Sequence, residues 1–174
     1  MTDPIARLRA LEVGRGDDVA VALHAGTGLG LATWSGRVVV PCDDPFPLVA
    51  AVEREIGPRW VWWDRTTSDP LATGRIPVAR SWDVLTIHRL LHGGWRTSIA
   101  HVWAHLHDLP TDSLPTMGQL DLLGAHLEEG DPDRPVRPDG HIRPEWLSGG
   151  WARDPERLAD WAELALRAAG LQRA

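Results

Sequence analysis

The run RWVWW at residues 59–63 constrains the fold more than any other stretch of this chain. A strand with one face in water alternates apolar and polar side chains, whereas residues 60–63 are apolar without a break. That pattern predicts a strand covered on both faces, which belongs in the middle of a layered sheet. The flanking sequence supplies material for a layer. Residues 45–56 (PFPLVAAVEREI) carry a helical stripe at Leu48, Val49, Val52 and Ile56, and the stripe stops at Gly57-Pro58.

The remaining elements follow from the same local signals. Residues 19–23 form a short β-branched and small apolar run, followed by a glycine-rich turn, a second run at 29–34, Ser35-Gly36 as a tip, and a third run at 37–40. This reads as a strand and a hairpin. Residues 64–74 suit a turn and short helix, and residues 76–79 a further short strand. Residues 82–91 read as a helix with the stripe Trp82, Leu85 and Leu90 and the stop Gly93-Gly94; residues 98–107 read as another, capped by Thr97 or Ser98. Residues 110–144 are rich in proline, glycine and aspartate, which predicts a long surface excursion with a short helix near 117–123. Asp154-Pro155-Glu156 then opens a final helix, with Asp154 as N-cap and proline in the first helical position, reaching about Gln172. Strands alternating with helices predict an α/β or α+β sandwich. With 174 residues and 43% hydrophobic content, a single domain over residues 1–174 is expected.

Charge and cysteine usage narrow the setting. The net charge is -6, and all 18 basic residues are arginine, with no dense basic cluster. Phosphate binding draws its affinity from clustered cations, so the charge argues against a globally basic nucleic-acid binder. One cysteine, Cys42, cannot form an internal disulfide, and the opening residues lack a basic-then-apolar leader; a cytoplasmic location is the expectation. No uncharged apolar run approaches the roughly 20 residues that cross a bilayer, so no membrane partner is expected. The ten tryptophans suit core filling, with a base-stacking platform as the sharper alternative.

Motifs for other chemistries are weak. Gly26-Thr-Gly28-Leu-Gly30 lacks the helix that a dinucleotide fingerprint requires after it, so a hairpin turn is expected and no cofactor. His88/His92 and His101/His105 are spaced i, i+4, each pair on one helical face, but a zinc site wants a third ligand. Structural or surface histidines are expected, and no metal. No Gly-x-Ser-x-Gly elbow is present, and Cys42 stands in no nucleophile signature.

Taken together, the strand and hairpin of residues 19–40, the segment 59–95 and the helix after Asp154 resemble the 3′ to 5′ exonuclease domain of family-A DNA polymerases. The phrases PRWVWW, WDVLTIHRLLHGGW and RPVRPDGHIRPEW are similar to the N-terminal part of bifunctional 3′ to 5′ exonuclease/DNA polymerase proteins of GC-rich bacteria, over residues 17–172. The resemblance implies a ribonuclease H-like (DnaQ-like) fold: a central mixed sheet, its first three strands antiparallel, flanked by helices. Active members hold two Mg²⁺ or Mn²⁺ ions with four carboxylates, and a Tyr or His orients the attacking water.

This chain departs from that pattern at each point. The first motif, Asp-x-Glu on the first strand, has no counterpart, because residues 19–41 contain no acid. Ungapped matching puts Thr67 at the second-motif aspartate, with Asp64 and Asp69 off register. On the last helix it puts Leu158 at the tyrosine and Ala162 at the aspartate, with Asp160 and Glu163 displaced. Asp83 matches a family aspartate that is not a ligand. The family continues into a polymerase beyond the point where this chain ends, so polymerase chemistry is not expected in these residues.

The resemblance therefore implies a catalytically degenerate exonuclease-like domain with a structural or DNA-positioning role in replication or repair. Its expected partners are DNA, weakly bound, and a polymerase domain in cis or in trans. One alternative is a residual nuclease using a rearranged set drawn from Asp17, Asp18, Asp64, Asp69, Asp83, Asp160 and Glu163, with Mg²⁺ or Mn²⁺ needed only in that case. Another is a protein-interaction module anchored by tryptophans.

Overall fold

The computed structural model describes residues 3–94, 98–111, 114 and 131–174. Strands β1 (Asp18–His24), β2 (Gly28–Thr33), β3 (Gly36–Pro41), β4 (Arg59–Trp62) and β5 (Ser81–Asp83) form one sheet in the order β3-β2-β1-β4-β5. The first three strands run antiparallel to one another, while β4 pairs with β1, and β5 with β4, in parallel. Helices α1 (Pro4–Ala10), α2 (Phe46–Glu55) and α3 (Arg65–Thr73) cover one face. Helices α4 (Val84–His92), α5 (Ile99–Leu106), α6 (Pro144–Leu147) and α7 (Pro155–Leu171) cover the other. The chain is thus α/β, a mixed sheet between two helical layers.

Alternation along each strand divides the side chains between two cores. Val19, Val21, Leu23, Leu29, Leu31, Trp60 and Trp62 pack towards α1, α2 and α3; Ala20, Ala22, Ala32, Val61 and Trp63 pack towards α7. Trp60 and Val61 are fully buried and Trp63 is 2% exposed, so the RWVWW run is covered on both sides as its composition predicts. The α7 side of β1 and β2 is built from small residues, and α7 answers with Ala159, Ala162, Ala165 and Ala169. Gly30 is the closest approach: a Cβ there would lie 2.2 Å from the backbone nitrogen of Ala159.

The start of α7 is fixed as its sequence implies. The Asp154 carboxylate accepts the Arg157 N–H at 2.9 Å, and Pro155 occupies the first turn. Arg157 is itself buried. Its guanidinium donates to Asp133 Oδ1 (2.7 Å), Glu145 Oε1 (3.0 Å) and the Gly150 carbonyl (3.0 Å), and lies 4.9 Å above the Trp146 ring. This one side chain ties the end of the 110–144 segment to α7. That segment accordingly is not all surface: His141, Ile142 and Arg143 are buried, and the Trp103 indole donates to the Gly140 carbonyl at 2.8 Å. The short helix expected near 117–123 lies outside the described residues.

Other elements differ from expectation for identifiable reasons. The strand expected at 76–79 forms instead at Ser81–Asp83, in register with Trp60–Trp62. Pro77 has no N–H to give a ladder, and Ile76 and Val78 pack onto the outer core without pairing. Trp82 consequently belongs to β5 and α4 begins at Val84, with a buried face of Val84, Leu85 and His88; Leu90 is 77% exposed. Trp34 lies in the β2–β3 turn and is exposed. Helix α1 was not anticipated, although Asp3-Pro4 opens it by the same device as Asp154-Pro155, with Asp3 accepting from the Ile5 N–H. Among the described residues, no helix is long and apolar enough to cross a membrane.

Candidate functional site

In open α/β sheets, ligands gather beyond the carboxyl ends of the parallel strands. Asp64, just after β4, and Asp83, the last residue of β5, stand there, and both are engaged as helix caps. Asp64 Oδ1 accepts from the Thr66 N–H (2.9 Å) and hydroxyl (2.6 Å). Asp83 Oδ1 accepts from the Thr86 N–H (2.7 Å), and its Oδ2 from the Trp62 indole (3.2 Å). Asp69 is exposed on α3. Thr67 is buried within the first turn of α3, and Leu158 and Ala162 are fully buried in the α7 core. Asp160 and Glu163, half-buried on α7, pair with Arg37 of β3, and Glu163 also with Arg167.

Asp17 and Asp18 lie at the opposite end of β1. They line a cleft of about 290 Å³ together with Trp34 and Arg59. Asp17 accepts from the Gly14 N–H, and Asp18 is held between Arg59 and Arg173. The acids therefore fall into separate groups, most of them neutralised by an arginine or a backbone donor. Two-metal hydrolysis needs several carboxylates converging on ions roughly 3.5–4 Å apart. Among the described residues, no three of these carboxylates come together.

Aromatic rings occupy the layer between the sheet and α7. Trp63 meets Trp161 (centroids 5.5 Å) and Trp103 (6.3 Å, edge-on), and Trp161 stacks in parallel on Trp151 at 6.1 Å. The Trp63 indole donates to the Trp161 carbonyl at 3.2 Å, so its one polar atom is satisfied. The positions of β1 that face this layer are Ala20 and Ala22. A site lined by alanine and tryptophan can hold no hard cation. Trp60, Trp62 and Trp146 are also buried, which favours the core-filling role for the tryptophans over a stacking platform.

Three histidines do come together. The spacing of His88 and His92 puts both rings on one face of α4, with centroids 4.6 Å apart, and α5 brings His105 to 5.0 Å and 4.7 Å from them. His88 Nε2 and His105 Nδ1 are 3.2 Å apart and share one hydrogen bond. His92 and His105 are exposed, whereas His88 is buried and its Nδ1 has no hydrogen-bond partner among the described residues. The i, i+4 pairs visible in the sequence are thus recombined: His101 leaves its pair and bonds the Ser98 hydroxyl at 2.8 Å. The pairing of His105 with α4 had no local signal, because it depends on how α5 packs against α4.

Burial, then the neighbouring His92 and His105, hold the His88 pKa below its ordinary 6.5. The unfolded chain therefore binds more protons between that value and 6.5, and stability contributed by neutral His88 is lost as pH falls through this window. Denaturant titrations at pH 7.5 and 5.5 should show a smaller drop in stability for His88→Leu than for the parent chain. An equal drop in both would mean that His88 titrates as it does when unfolded.

Comparisons with protein-family models, with curated proteins and with solved structures return no match to this chain.

Proposed function

We propose that this chain is a non-catalytic ribonuclease H-like domain, akin to the exonuclease domain of family-A DNA polymerases, acting as a structural or DNA-positioning module for a polymerase domain in cis or in trans. The observation that carries the reading is the combination of strand order with ligand loss. A β3-β2-β1-β4-β5 sheet, antiparallel then parallel, with a long helix across β1 and β2, is the arrangement expected of that fold. The positions where it would carry metal ligands or a water-orienting group are Thr67, Leu158 and Ala162, all buried. Loss of one carboxylate already cripples a two-metal site, and the off-register acids are dispersed or capped.

The test is a 3′-labelled single-stranded oligonucleotide incubated with pure protein and Mg²⁺ or Mn²⁺. No digestion above background is expected, and any DNA binding should be weak and fall steeply with salt, since the chain carries a net charge of -6 and no dense basic cluster. Metal-dependent shortening from the 3′ end, abolished by Asp64→Asn or Asp83→Asn, would sink the reading. A second reading as a protein-interaction surface draws on Leu90 and Leu91, exposed at 77% and 55% on the end of α4. It predicts that Leu90→Asp with Leu91→Asp abolishes self-association or partner capture and leaves stability within about 0.5 kcal/mol.

A further inference from the structure

We propose that His88, His92 and His105 form a binding site for one divalent transition-metal ion of the zinc class, with a coordination position left open to solvent. The site is separate from the vacated nuclease positions and does not depend on the preceding reading.

Geometry carries the proposal. One ligand nitrogen from each ring lies within 4.8 Å of the others. A tetrahedral ion with metal–nitrogen distances of about 2.0–2.1 Å spaces its ligand nitrogens roughly 3.4 Å apart. His88 Nε2 and His105 Nδ1 are at 3.2 Å, so this edge needs almost no adjustment. His92 is exposed one turn beyond His88, its ring 4.6 Å from that of His88 and 4.7 Å from that of His105. Three ligands from two helices match the pattern of a site that keeps its fourth position for water or another small ligand.

The donor set selects the metal. Imidazole nitrogens suit Zn²⁺, Co²⁺, Ni²⁺ and Cu²⁺, whereas Mg²⁺ and Mn²⁺ want oxygen, and no carboxylate joins this group among the described residues. The buried His88 Nδ1 has no hydrogen-bond partner among the described residues, and an ion held at Nε2 would not supply one. With Nε2 as the ligand, Nδ1 carries the proton but has no acceptor among the described residues to fix the tautomer. Sites lacking that outer hydrogen bond bind about 10–100-fold more weakly than supported ones. The site is thus of moderate affinity, and a bound ion would clip α4 to α5.

Tag-free full-length protein, stripped of metal and titrated with Zn²⁺ against a chromophoric chelator, should bind one equivalent and gain thermal stability. Co²⁺ in its place should give visible d–d absorption of the strength expected for four- or five-coordinate nitrogen ligation. His92→Ala and His105→Ala, both at exposed positions, should fold normally and bind Zn²⁺ at least about 10-fold more weakly. His101→Ala should bind as the parent does, and millimolar Mg²⁺ should not compete. Unchanged Zn²⁺ affinity in His92→Ala and His105→Ala, or equal loss in His101→Ala, would overturn the site. Failure of His88→Ala to fold would not affect the outcome, since the two exposed variants decide it.

Discussion

Gly30→Ala should be among the most damaging single substitutions available in this chain. The new Cβ would lie 2.2 Å from the Ala159 nitrogen and 2.3 Å from the Leu158 carbonyl carbon, both backbone atoms. Ordinary contact between heavy atoms is about 3.5–4.0 Å, so α7 must lift off the sheet by roughly 1 Å or more. No side-chain rotation can relieve that. Lifting α7 also loosens the Trp63–Trp161 contact and the small-residue seam of Ala20, Ala22 and Ala32. Overpacking usually costs about 1–3 kcal/mol where neighbours can adjust; here the cost should exceed about 4 kcal/mol. For a chain of this size that is a fall in Tm of roughly 10 °C or more. Gly26→Ala is the matched control. Nothing lies within 4 Å of its added Cβ, and its φ of +80° costs a side chain only about 1–2 kcal/mol. Equal losses from the two variants would show that α7 is not seated as described.

Trp63→Ala should lower stability by about 3–5 kcal/mol, the range for deleting a fully buried large aromatic. The ring is 2% exposed, contacts Trp103 and Trp161, and its removal takes a second donor from the Trp161 carbonyl. Trp63→Phe keeps most of the volume and should recover about half of the loss, separating cavity from hydrogen bond. Exposed Trp34→Ala should change stability by less than about 1 kcal/mol. Denaturant midpoints for the three variants check the ranking. A Trp63→Ala protein as stable as Trp34→Ala would mean that the aromatic layer is not the core between sheet and α7.

Local signals were legible wherever a residue acts through its immediate neighbours. The unbroken apolar run at 60–63 announced a strand covered on both faces, and both faces are buried. Asp154 with Pro155 marked the start of α7, since capping joins residues three apart. The absence of acids over residues 19–41 is likewise a property of the chain itself, and no packing can supply a carboxylate to β2, β3 or the part of β1 beyond Asp18. Helix α1 carries the same Asp-Pro signal in Asp3-Pro4.

Tertiary structure decided what depends on distant partners. The register of β5 follows from pairing with Trp60–Trp62, so the strand falls at Ser81–Asp83, past the apolar residues around Pro77. The burial of residues 141–143 depends on Trp103 and Arg157, neither of them near in sequence. Asp64 and Asp83 look available as acids in the sequence, but folding makes them caps of α3 and α4. The histidine cluster is the sharpest case. Spacing along α4 unites His88 with His92 because helical neighbours four apart share a face. Only the packing of α5 against α4 replaces His101 with His105 as the companion ring, because contact between two helices is set by the buried stripes of both.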